Sequence, residues 1–173
     1  FAVLTREQLR AAVPVFGARA CERLLAMGPT EDDWLMVAKR GDDPLSRRAK
    51  RALIANPAIS DEALRYLLLA GTKKTPERKK AFAVAMARPP NAKLLKSIFP
   101  RFKKGPEVQA AWKRFSTLPL SVGELQKVLM DVTDRQVLDA AWTAFLARKP
   151  SLSDIAYVMC FCQDRHVRNR AGG

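Results

Sequence analysis

A six-residue phrase occurs twice in this chain, thirty residues apart: Ala110-Ala111-Trp112-Lys113-Arg114-Phe115 and Ala140-Ala141-Trp142-Thr143-Ala144-Phe145. An internal period of that length marks repeat architectures, in which each unit is one supersecondary element and neighbours bury one another's apolar faces. The punctuation around the phrase runs back through the whole chain. Pro29, Pro57, Pro89, Pro119 and Pro150 stand 28, 32, 30 and 31 residues apart. Cys21, Ala49, Ala81 and Ala111 lie eight residues before the first four of these prolines. Ala141 lies nine before the last, which points to a one-residue insertion in that copy. Small residues at one recurring helical position let two helices approach closely.

Each repeat reads as two helices. Helix A precedes the proline, as in Leu45–Ala55 and Pro76–Arg88, and the proline ends it by removing an N–H and restricting the residue before it. A capping residue follows: Thr30, Ser60, Asn91, Ser121 or Ser153. Its side-chain oxygen can satisfy an orphan N–H at the start of helix B. Helix B carries an apolar stripe; Leu64, Leu67 and Leu68 sit at i, i+3, i+4, and Leu125, Val128 and Leu129 repeat the spacing. Gly71 and Gly105 punctuate the turns from B to the next A. Strand-type alternation is absent. The fold class is therefore all-α, a right-handed α-solenoid of about five two-helix repeats of ~30 residues.

Residues 1–16 form an extra N-terminal helix, capped by Thr5 with Gln8 and stopped by Pro14. Residues 17–163 are the repeat array. Residues 164–173, from Asp164 through His166 and Arg170, open a further repeat. The chain begins at Phe1 rather than Met and stops inside that repeat, so it reads as a piece of a longer polypeptide. On this reading the surplus apolar residues of helix Asp154–Gln163 (Met159, Cys160 and Phe161 among them) are exposed where the array is cut.

The segment Arg47-Arg48-Ala49-Lys50-Arg51-Ala52-Leu53-Ile54-Ala55-Asn56-Pro57-Ala58-Ile59-Ser60-Asp61-Glu62-Ala63-Leu64 resembles a HEAT-like or leucine-rich-repeat-variant unit. Those units run, roughly, Arg-x-x-x-Ala-x-Asn-Pro, then two residues, then Ser, Thr or Pro, then a helix with spaced leucines. The resemblance is strong over this one repeat and weak over the other four. It implies an α-solenoid with an extended binding surface, whose relatives mostly bind proteins and in some cases nucleic acid. It implies no particular chemistry.

Charge is the outlier of the composition. There are 31 Lys and Arg against 17 Asp and Glu, a net +14, while 48% of residues are apolar. Between residues 72 and 104 eleven basic residues face Glu77 alone. A second cluster is Arg47, Arg48, Lys50 and Arg51, and a third Arg165, Arg168 and Arg170. Solubility favours mixed signs, and a helix N-terminus disfavours cations by roughly 0.3–1 kcal/mol each when exposed. Arg47, Arg48, Arg78 and Lys79 nevertheless fall in first turns, where Lys or Arg beside free N–H groups suits phosphate or carboxylate. With Lys50, Arg51, Lys80, and with Lys73, Lys74, Lys103 and Lys104 just ahead of the same junctions, they form a candidate polyanion-binding ridge along one edge.

Enzymatic signals are weak. His166 is the only histidine, and no phosphate-binding glycine loop, H-E-x-x-H or C-x-x-C is present. Cys160 and Cys162 with His166 lack further ligands at metal spacing, so neither metal nor cofactor is expected. The cysteines read as small buried hydrophobes of a reducing, cytoplasmic protein. No apolar run approaches the ~18 residues that cross a bilayer, so membrane insertion is not expected. HEAT-like DNA glycosylases, which use Trp and Asp on a basic face, are a minor alternative through Trp34, Trp112, Trp142, Asp131, Asp134 and Asp139. The recurrence of Trp112 and Trp142 at one repeat position favours core roles. The leading reading is a non-enzymatic helical-repeat module that binds a polyanion, nucleic acid first. The rival is a protein–protein scaffold that binds an acidic partner or assembles in a larger complex, including the rest of a longer polypeptide.

Overall fold

Short polar side chains stand at the points where the backbone turns into a helix, and the structure uses them as caps. The computed structural model describes residues 4–70, 75–162 and 167–168. Among the described residues there are eleven α-helices and no strand. The chain divides into two compact units, Phe1–Ala81 and Phe82–Gly173.

The first unit holds α1 (Arg6–Phe16), α2 (Ala18–Ala26), α3 (Glu31–Ala38), α4 (Pro44–Ala55), α5 (Asp61–Leu69) and the beginning of α6 (Pro76–Ala87). Helix α1 packs on α2, and α3 on α4. Leu9, Leu24, Val37, Leu53, Leu64 and Leu68 fill the core. Polar bonds lock α1 to the start of α3: Arg10 Nε lies 2.6 Å from Asp33 Oδ1, and Arg6 donates to the carbonyls of Met27 and Gly28 at 2.9 Å. Asp33 is fully buried. Burial alone would raise its carboxyl, but the Thr30 N–H, Arg10 and the Thr30 hydroxyl outweigh it and hold the group below the ordinary carboxylate range.

The second unit holds the rest of α6, then α7 (Ala92–Lys96), α8 (Pro106–Phe115), α9 (Val122–Asp131), α10 (Arg135–Ala147) and α11 (Leu152–Phe161). Its core is more aromatic. Phe99 and Phe115 meet edge to face with ring centres 5.2 Å apart, and Phe145 is fully buried beside Trp142. Helix α7 is short and passes into hydrogen-bonded turns that end at Phe102.

Five A/B pairs follow α1 in chain order, and the packing frame is the one the small residues define. Cys21, Ala49, Ala81, Ala111 and Ala141 are all 0% exposed. The inserted residue of the last copy lies in α10, which has 13 residues where α8 has 10. Three residues before Ala49, Ala81, Ala111 and Ala141 stand Ser46, Arg78, Val108 and Leu138, and these are buried too.

Two boundaries differ from the sequence reading. Pro14 does not stop α1, which continues to Phe16 and ends at Gly17. Pro14 lies inside the helix, where it forfeits an N–H bond and crowds the carbonyl of Arg10 without ending the helix. The actual stop is Gly17 at φ 55, a conformation favourable only to glycine, whose N–H donates to Val13 O at 3.0 Å. In the last pair the cap is Ser151, not Ser153: Ser151 Oγ accepts from the Asp154 N–H, and the Asp154 carboxylate accepts the Ser151 N–H in return. Ser153 lies inside the first turn, its hydroxyl 2.8 Å from that of Ser151. The other four caps, Thr30, Ser60, Asn91 and Ser121, lie where the sequence puts them. Of the segment 164–173 only Val167 and Arg168 fall among the described residues, both helical and Val167 buried; Gly71 lies outside them.

Candidate polyanion-binding site

Helix α4 carries Arg47, Lys50 and Arg51 at i, i+3 and i+4, a spacing that puts three cations on one helical face. The first turn of α4 is held firmly. Asp43 caps it, Pro44 sets its backbone, and the buried Ser46 hydroxyl lies 2.7 Å from both the Ala38 and the Gly41 carbonyls. The Tyr66 hydroxyl of α5 donates to the same Ala38 carbonyl. Burial pushes that hydroxyl above its ordinary pKa, so it remains a donor at physiological pH. These bonds tie the end of α3 to α4 and α5, and the three helices with the start of α6 line a cleft of about 680 Å³.

Lys39, Arg47, Lys50 and Arg51 line the cleft, and among the described residues Asp42 and Glu77 are its carboxylates; Tyr66, Leu67, Ala70 and Pro76 supply apolar surface. The internal pairings are loose. Arg47 and Lys50 lie 3.9 and 3.8 Å from Asp42, Arg51 lies 3.3 Å from Glu77, and Lys39 lies 3.9 Å from Glu62. Asp42 is exposed, and surface pairs of that kind are worth about 0–1 kcal/mol, whereas Glu77 is largely buried and accepts a hydrogen bond from Arg51. Lys50 is the best anchored, donating to Gly41 O at 2.7 Å.

The remaining ridge residues are distributed differently. Arg48, Lys79 and Lys80 are exposed on α4 and α6 but do not line the cleft. Lys103 and Lys104 are exposed in the second unit. Lys73 and Lys74 lie outside the described residues. Arg78 differs most from an exposed cation. It is 2% exposed, and its guanidinium donates to the Ala70 carbonyl at the end of α5. Ser46 reaches Ala38, also eight residues back, so Arg78 takes in its own repeat the place that Ser46 holds in the one before. Arg114 has a similar role in the second unit, donating to the Met86 and Arg88 carbonyls at the end of α6.

The corresponding junction of the second unit is closed. The Lys103 carbonyl accepts from Thr133 N at 2.8 Å and Asp134 N at 3.0 Å, so the α7–α8 and α9–α10 turns abut. Asp134 Oδ2 accepts from Gly105 N and from Gln109 Nε2, each at 3.1 Å. Burial would raise the Asp134 carboxyl; the Gly105 and Val137 N–H groups and Gln109 bring it below the ordinary range instead.

Trp112 and Trp142 are core side chains, 9% and 6% exposed. Asp131 pairs with Lys127 at 3.1 Å, and Asp134 caps α10. Cys162 is buried with its thiol on the Leu129 carbonyl at 3.2 Å, while Cys160 is exposed. Among the described residues no group of three or more His, Cys, Asp and Glu could hold a metal ion. No described helix is long and apolar enough to cross a membrane.

Sequence reasoning located the α4 cations but missed Lys39 and Tyr66. Lys39 had one available signal, a cation at the C-terminal end of a helix. Tyr66 had none, because its partner is 28 residues away. No protein-family model, no curated protein and no solved structure matches this chain.

Proposed function

We propose that this chain is a right-handed α-solenoid of HEAT-like two-helix repeats, about five in number, acting as a non-enzymatic cytoplasmic module that binds a polyanion, nucleic acid in the first place. The observation that carries the reading is the cleft of the first unit, where Lys39, Arg47, Lys50 and Arg51 outnumber the two lining carboxylates. Arg47 and Lys50 share the exposed Asp42 at 3.9 and 3.8 Å, and a phosphate backbone would replace it as their counter-charge. Point charges of this kind position a backbone without reading base edges.

Fluorescence anisotropy of labelled mixed-sequence oligonucleotides at two salt concentrations tests the reading. If about four phosphates are neutralised, log K against log salt slopes near −4 for duplex DNA and near −3 for single strands. Absence of binding to either at ~50 mM salt and tens of micromolar protein would sink it.

One observation favours a protein–protein scaffold as the second reading. Tyr157 and Phe161 of α11 form an exposed aromatic pair with ring centres 4.7 Å apart, at the positions where α9 carries the Lys127–Asp131 ion pair. Exposed aromatic pairs suit protein partners better than phosphates.

A further inference from the structure

We infer that the cleft of the first unit receives unpaired nucleotides, with phosphate on the α4 cations and a base on Tyr66; this deepens the polyanion reading and rests on it. Size is the first argument. About 680 Å³ falls in the range of ligand pockets, roughly 300–1,000 Å³, whereas a duplex keeps its bases stacked inside and offers a protein backbone and groove edges. Composition of the walls is the second. A cleft built for phosphate alone needs only cations. This one also presents a tyrosine ring with Leu67, Ala70 and Pro76. Preorganisation is the third. Tyr66 is tied through its hydroxyl to the Ala38 carbonyl, so the ring is fixed before any ligand arrives and little side-chain freedom remains to be lost. Successive bases stack on such rings whatever their sequence, while cations track the backbone beside them.

The test compares a fluorescein-labelled oligothymidylate of about ten nucleotides with a duplex of the same length, using the full chain. The expected result is at least about tenfold tighter binding of the single strand. Arg47→Ser with Arg51→Ser lowers affinity for both probes. Tyr66→Leu, which removes the ring and the hydroxyl bond to Ala38 together, lowers affinity for the single strand by about tenfold more than for the duplex, while Tyr66→Phe, which keeps the ring and loses only that bond, stays closer to the parent than to Tyr66→Leu. Circular dichroism melts check that the variants fold. Should Tyr66→Leu unfold, ultraviolet crosslinking of a bromodeoxyuridine-substituted strand to the unaltered chain gives the same information, with the crosslink expected on the peptide carrying Tyr66 and Leu67. Equal affinity for duplex and single strand, or a crosslink mapping elsewhere, overturns the inference while leaving the polyanion reading standing. Binding of neither probe overturns both.

Discussion

The two units solve the same local problem with different residues. In the second, the turn into α10 begins at Asp134, and its carboxylate caps the helix while drawing Gly105 and Gln109 of the preceding turn against it. In the first, Thr75 caps α6; its hydroxyl accepts the Arg78 N–H at 3.2 Å but carries no charge. Gln109 and Arg47 both stand two residues before the small residue of their helix, Ala111 and Ala49. Where Asp134 binds Gln109, Arg47 is left with the distant Asp42, and the space beside it is the basic cleft. Capping needs only an oxygen, so the charge on that oxygen is free to vary. In the second unit the charged oxygen also accepts the Gly105 N–H and the Gln109 amide.

What the units share should be hardest to disturb. Ala111→Leu puts a branched side chain at a fully buried position of the frame, and overpacking there is expected to cost about 1–3 kcal/mol, read by urea denaturation. A change below about half a kcal/mol would mean that the small-residue positions are not the tight contacts of either unit.

Arg78 separates structural from available charge. Arg78→Ala removes a buried donor from the end of α5 and should destabilise by about 1–3 kcal/mol, whereas Lys79→Ser, one residue on and exposed, should stay within about 0.5 kcal/mol. Thermal melts of the two variants give the contrast. Equal melting temperatures would return Arg78 to the exposed cations.

A reciprocal exchange of caps addresses the comparison itself. Thr75→Asp places the second unit's carboxylate in the first; Asp caps at least as well as Thr, so stability should hold while oligonucleotide affinity falls by about tenfold. Asp134→Thr keeps a cap but removes the charge that closes the second junction, and should cost about 1 kcal/mol at neutral pH. Anisotropy titration and urea denaturation read the two arms. Unchanged binding by Thr75→Asp would show that the cleft's charge balance is not what attracts a polyanion.

The smallest effect concerns acid. Asp33 in the first unit and Asp134 in the second both have carboxyls held below the ordinary value, 3.8. A group depressed on folding stabilises above its unfolded pKa and loses that contribution as pH falls through the folded one. Stability should be flat from neutral pH down to about 5 and decline below about 4. Asp134→Thr should reduce the steepness of that decline, measured by melts across acid buffers.

The sequence by itself determined where most helices begin and which residue of each A helix is buried, though not that α1 runs past Pro14 or that Ser151 rather than Ser153 caps α11. Caps, prolines and small residues act through bonds and clashes within a few positions of themselves, so their spacing carries the information. It also placed three cations on one face of α4, since i, i+3 and i+4 define a face in any helix. Tertiary structure alone decided which cations remain available. Arg78 and Lys79 are adjacent in sequence, yet one reaches a carbonyl eight residues back and is buried while the other is exposed. The cleft belongs to the same class of fact. Its lining joins Lys39 and Arg47 to Tyr66 and Glu77, residues far apart in sequence, and Tyr66 bonds to Ala38 across 28 residues. Contacts at that range depend on how helices pack, which a local pattern of residue types does not encode.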